Sequence, residues 1–219
     1  MPSRILAIPS ANPGSFVPQI DRSSPFCWAA TSTAVRAYYH VMEPVSNPEQ
    51  WGRNLWAADP TSFQTTSDGV RVGNMTKALG NAFARELKRR VGDFNEHTFK
   101  GLITQELAAG KPVIAGLKKH GTRTGHAILL YGFNDDTVYY SCSAQGNKTA
   151  TFNELYNNLA GKFYLTYLYL TKQPPFECFT PPSSPSSVCS NDSLFSCFPE
   201  DENGPTANEI PWYGNCAIM

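Results

Sequence analysis

Residues 23–31 read SSPFCWAAT, and the cysteine among them, Cys27, stands just after a helix-start pattern. Ser24 suits an N-cap and Pro25 the first helical position. The apolar face Cys27, Ala30, Ala34, Tyr38, Val41 then recurs at intervals of three and four until Pro44 stops it. A thiol in a first helical turn is placed for chemistry, because the helix N-terminus and a neighbouring imidazolium together lower a thiol pKa of about 8.5 by several units. The thiolate is then the nucleophile. The imidazole has to come from elsewhere in the chain. His126 opens an apolar run directly after the flexible GTRTG of residues 121–125, so its ring can face the helix foot. His40 lies on the helix itself, and His97 and His120 fall at loop or element ends. The competing reading of Cys27 is an inert buried hydrophobe, the commonest state of an unpaired cysteine. The competing reading of His126 is a core histidine at a strand start.

The elements that must position this pair follow from periodicity. Two further helical patterns lie around residues 74–90 and 96–109, the second closed by Gly110 and Pro112. The period then changes. KPVIAGL (111–117), HAILLYGF (126–133), TVYYSCS (137–143) and KFYLTYLYL (162–170) are rich in β-branched and aromatic residues, with a turn at Asn134-Asp135-Asp136. Helices followed by a mostly antiparallel sheet make the expected class α+β.

Composition narrows the function. The chain has 219 residues, 41% of them hydrophobic and 16% charged, which suits one globular domain with extras. Eighteen basic and eighteen acidic residues cancel, and no basic stripe is interleaved with aromatics, so nucleic acid is not an expected partner. There is no phosphate loop, no CxxC and no HExxH spacing, so no cofactor and no metal is expected.

The residues carry a resemblance. Gln19 comes first, then Cys27-Trp28-Ala29-Ala30 opening a helix and AAGKPVIAGL at 108–117. Gly125-His126-Ala127-Ile128-Leu129-Leu130-Tyr131-Gly132 and Thr151-Phe152-Asn153-Glu154-Leu155 complete the order. This succession resembles the papain-like cysteine peptidases of clan CA, closest to the compact bacterial C39-like and C70 branches, over about residues 15–172. The resemblance implies a papain-like α+β fold, with an N-terminal helical part carrying the cysteine and a C-terminal antiparallel sheet carrying the histidine. It implies thiol-dependent hydrolysis of a protein or peptide substrate. It also implies that the Gln19 side chain joins the Cys27 N–H in an oxyanion hole, where such a donor is worth roughly 3 to 4 kcal/mol.

One expected member is missing. The family carries Asp or Asn on the strand after the histidine strand, and alignment through Val138-Tyr139-Tyr140 and Gly146 puts Cys142-Ser143 there. A cysteine is a weak acceptor, so the expected partner of the ring is Ser141, Ser143, Gln145, Asn147 or water. Asp135 and Asp136, in the hairpin turn at the far end of the strand, are expected to point away. Three alternatives therefore stay open: amide transfer or deamidation at the same site, a papain-like binding module without catalysis, and a prenylated adaptor whose tail matters more than its domain.

The expected organisation is a flexible N-terminus over 1–14, the peptidase domain over 15–172, and a Pro/Ser/Cys-rich tail over 173–219. The tail holds eight of the seventeen prolines, four of the six cysteines, and no Lys or Arg. Such a composition cannot bury enough apolar surface to offset its ordering entropy. It ends Cys216-Ala217-Ile218-Met219, a C-a-a-X pattern for prenylation at Cys216. The acidic residues upstream supply no polybasic second signal, which leaves Cys178, Cys189 or Cys197 as sites for a second lipid. Disulfide pairing of the tail cysteines is the rival reading. The apolar run Ile5–Ile8 is too short for a secretory signal, and no stretch has the length of a membrane span. The expectation is thus a soluble chain, acting as a bacterial effector or toxin inside eukaryotic cells and held at a membrane face by its tail. Oligomeric state is not legible.

Overall fold

The computed structural model describes residues 3–9, 14–21, 24–40, 42–65, 71–73, 75, 78, 88–90, 95–121 and 125–172. Its centre is an antiparallel sheet built from β4 (Lys88–Arg90), β5 (Val113–Lys119), β6 (Gly125–Asn134), β7 (Thr137–Cys142), β8 (Gly146–Thr151) and β9 (Phe163–Leu170). The strand order is β4-β9-β5-β6-β7-β8, and β1 (Arg4–Ile5) also pairs with β6. Every residue of β6 except Asn134 is buried. That accounts for its continuous apolar run, since a central strand covered on both faces loses the alternation of a half-exposed one.

Helices cover the sheet. Helix α1 (Cys27–Tyr38) packs on β6, and α2 (Pro48–Ala58) packs on α1. Helix α3 (Glu96–Ala108) lies against β5 and β6, and the short α4 (Phe152–Asn157) against β9 and α3. A two-stranded ribbon of β2 (Phe63–Thr65) and β3 (Arg71–Gly73) lies apart from the main sheet. Helices and an antiparallel sheet give the expected α+β architecture.

Several local expectations are corrected. Phe26, not Ser24, is the N-cap of α1, and no side chain caps it; Ser24 Oγ accepts instead from Phe26 N–H at 3.4 Å. Helix α1 ends at Tyr38, with Tyr39 as C-cap and His40 at a φ of 57°, well before Pro44. Helix α2 was not anticipated, although Asn47 accepts from Gln50 N–H and Pro48 takes the first helical position, which is a legible start pattern. Within residues 74–90, Met75 and Ala78 are helical, but Lys88–Arg90 is an edge strand on β9 and the remainder lies outside the described residues.

The start of the chain also departs from expectation. Instead of a flexible lead-in, Arg4 and Ile5 pair with Phe133 and Gly132 of β6, and Leu6 and Ile8 are buried. Arg4 donates to the Ala108 carbonyl at 2.6 Å, tying this strand to the end of α3. Among the described residues no helix is long and apolar enough to cross a membrane. The tail, with Cys178, Cys189, Cys197 and Cys216, lies outside the described residues.

Candidate active site

Cys27 is the first residue of α1 and is 6% exposed. The preceding Phe26 is buried with its ring centred 6.0 Å from that of Trp28, and the Trp51 ring of α2 is centred 6.5 Å from Trp28. These aromatic contacts fix the foot of the helix. The Thr31 hydroxyl donates to the Cys27 carbonyl at 2.6 Å and lies 3.4 Å from the Ala127 carbonyl. One hydroxyl thus sits between the turn that bears the cysteine and the strand that bears the histidine.

His126 is the second residue of β6, opposite Leu117 of β5. It lines one pocket with Cys27, bounded also by Pro25, Trp28, Gly73, Met75, Gly125 and Ala127. The two residues proposed from sequence therefore face one space. Gly73 comes against the Trp28 indole so closely that a Cβ there would overlap the ring. The wall residues Gly73 and Met75 carry no motif, and only the packing of β3 and Met75 beside α1 reveals them.

The expected partners of the histidine are corrected by the structure. His126 Nε2 lies 3.1 Å from Cys142 Sγ. Cys142 pairs with Ile128, two residues beyond His126 on the same face of β6, so the two side chains are diagonal neighbours across adjacent strands. Of the polar residues expected there, Ser141 and Asn147 are engaged elsewhere. Ser141 Oγ accepts from Val17 N–H at 2.9 Å and Phe16 N–H at 3.1 Å, and Asn147 Oδ1 accepts from Phe16 N–H at 3.2 Å. Ser143 Oγ is buried without a hydrogen-bond partner. Asp136, as expected, turns away, to Lys100 Nζ at 2.7 Å.

The same bonds place Gln19. The 15–20 segment is strapped to the end of the β7–β8 hairpin, with Ile20 N–H donating to the Ser143 carbonyl at 2.9 Å. Gln19 is exposed there, and its Nε2 stands 3.4 Å from where a Cβ on Gly146 would be. It is not among the residues lining the pocket. Among the described residues no cluster of three His, Cys, Asp or Glu is placed to hold a metal.

Electrostatics of the pair depend on the state of Cys27. Cys27 is disulfide-bonded, so the pocket holds no thiolate. Burial alone then acts on the imidazole and pushes the His126 pKa down to about 4. An unfolded chain binds a proton at this residue below about pH 6.5 that the folded protein does not bind until about pH 4. Stability therefore falls as pH falls through that window, by up to about 3 kcal/mol. Urea unfolding of the Cys27→Ala protein at pH 7 and pH 4.5 should show this loss, and adding His126→Gln should shrink it. Equal pH dependence with and without the histidine would contradict the buried neutral ring.

A family model described as Peptidase_C39 like family matches residues 15–175. Among solved structures, one similar chain is a double glycine motif protease from an AMS/PCAT transporter, solved in complex with the leader peptide. It is 20% identical, with a TM-score of 0.45, over 76% of this chain and 99% of the other. No curated protein matches.

Proposed function

The chain belongs to the Peptidase C39-like family, and on that premise we propose that it hydrolyses peptide bonds with Cys27 as nucleophile and His126 as its base. The observation that carries this reading is the shared pocket, which a helix-first cysteine and a buried histidine both line. The reduced thiol is the acting form. His126 takes the proton from Cys27, the thiolate attacks the substrate carbonyl carbon, and the carbonyl oxygen becomes an oxyanion. Collapse breaks the C–N bond, His126 returns the proton to the leaving amine, and a thioester remains on Cys27. Water, deprotonated by the same histidine, then releases the acid and restores the thiol.

The oxyanion is held by the Cys27 N–H and the Gln19 side-chain amide. The first of these is among the N–H groups at the start of a helix, which have no acceptor within it. Support for Gln19 is its position on the segment strapped to Ser143, next in sequence to the Cys142 that touches His126. Its side chain stands at the surface, so substrate binding has to draw it inward.

The test is mass spectrometry of peptides and proteins after incubation with the reduced protein. Backbone cleavage, absent with Cys27→Ala, is the expected result. A one-dalton gain without cleavage means deamidation at the same site, and identical products from both proteins exclude Cys27 altogether.

A further inference from the structure

A base that serves Cys27 needs a bare nitrogen toward the pocket, and a neutral imidazole has one bare nitrogen and one that carries hydrogen. Which nitrogen is bare depends on what the other one meets. In this protein the ring is 4% exposed, Nδ1 has no hydrogen-bond partner, and Nε2 lies 3.1 Å from Cys142 Sγ. Cys142 is 5% exposed, is not disulfide-bonded, and does not line the pocket. Of the two ring nitrogens, Nδ1 is the one that Cys142 does not engage.

We propose that Cys142 is the positioning residue of His126: the ring Nε2–H donates to Cys142 Sγ, and Nδ1 is thereby left bare as the base for Cys27. This inference rests on the Cys27–His126 reading of the site and deepens it. The fold supports it from three directions. Strand pairing of Ile128 with Cys142 fixes the sulfur beside the ring, and Ser141, the next residue, is held by Phe16 and Val17. The Phe163 ring of β9, centred 6.1 Å from the imidazole, limits where the ring can turn. Ser143, on the other side of Cys142, is fully buried.

A buried sulfur favours its neutral thiol, so this partner orients the ring without supplying the negative charge that a carboxylate would. The consequence is specific. Before attack, the counter-charge for the imidazolium is the Cys27 thiolate and not Cys142. Of the described groups around the ring, the titratable ones are Cys27 on α1 and Cys142 on β7, which in turn neighbours Tyr140, while Phe163 of β9 and Met75 are apolar. Exchanging Cys142 for Asp should therefore move the alkaline limb of the pH–rate profile upward, because a carboxylate holds the imidazolium to higher pH.

The test uses two readouts. Long-range proton–nitrogen NMR of the full chain in the Cys27→Ala background at pH 7 should show His126 as the Nε2–H tautomer, and adding Cys142→Ala should convert it to a mixture. In the reduced active protein, Cys142→Ala should lower kcat roughly 10- to 100-fold with KM unchanged, the loss of a weak orienting bond. An Nδ1–H tautomer with Cys142 in place overturns the proposal, as does Cys142→Ala matching the parent in tautomer and kcat. Should Cys142→Ala fail to fold, Cys142→Ser retains a hydrogen-bonding atom of similar size and should retain the tautomer; a changed tautomer there overturns the proposal too. An Nε2–H tautomer in a protein that cleaves nothing upholds the positioning role and refutes the peptidase reading instead.

Discussion

Replacing His126 with alanine should lower kcat/KM for peptide cleavage by roughly three to four orders of magnitude, equivalent to about 4 to 5 kcal/mol of transition-state stabilisation. The reason is the geometry of the pocket. His126 shares it with Cys27 and, in the reduced protein, is the described residue placed to accept the thiol proton and return it to the leaving amine. Loss of this proton shuttle leaves a thiol at the helix start with the helix N-terminus alone to activate it, a much smaller effect. Cys27→Ala should remove cleavage, and the double variant should be no worse than Cys27→Ala, because the two side chains act as a unit. Steady-state kinetics on a peptide substrate, with thermal melts to confirm folding, checks both. A His126→Ala protein within tenfold of the parent would rule out a base at this position.

The second large effect concerns the wall of the pocket. Gly73→Ala should destabilise the protein by about 1 to 3 kcal/mol, the usual cost of overpacking, and should reduce cleavage by about a hundredfold. A Cβ at this position would overlap Cδ1, Nε1 and Cγ of Trp28. Trp28 is buried and packs near both Phe26 and Trp51, so it has little room to retreat. Any retreat moves the residue adjacent to Cys27, and displacements near 1 Å at a reacting group are enough for such a rate loss. Gly101 provides the control. It lies in the exposed face of α3 with nothing within 4 Å of a Cβ placed there, so Gly101→Ala should be neutral or stabilising by about 0.5 to 1 kcal/mol. Equal melting temperatures for the two alanine variants would show that Trp28 accommodates the methyl group without cost.

Some of this site was written plainly in the sequence and some could not be. Cys27 and His126 were legible because each sits where periodicity changes, one at a helix start and the other at a strand start, and both changes survive in the fold. The cap of α1 was misassigned, since Ser24 and Pro25 fit the start pattern and yet the N-cap is Phe26, two residues later, and the helix begins at Cys27. Lys88–Arg90 looked helical from the apolar spacing around it, whereas pairing with β9, a distant segment, makes it a strand. The link between His126 and Cys142 was the least legible part. It depends on the register of β6 against β7, which shifts between Leu130 and Gly132, and a one-residue slip would turn Cys142 to the other face. Weak hydrogen-bonding chemistry argued against a cysteine at that position, but side-chain chemistry alone does not say which atoms are adjacent. Gln19 shows the opposite case: its spacing to Cys27 was visible, while its exposed location beside Gly146 came from strapping by Ser141, Ser143 and Asn147.

The central claim is that reduced Cys27 is activated by His126. The direct measurement is the alkylation rate of Cys27 at pH 6, read by mass spectrometry site by site in the reduced protein and in His126→Ala. An unperturbed thiol with a pKa near 8.5 is almost wholly protonated at that pH and reacts slowly. Activation predicts that Cys27 reacts at least tenfold faster than a small free thiol under the same conditions, and that His126→Ala removes the excess. A Cys27 that reacts no faster than the free thiol, or equally fast in both proteins, would contradict the account.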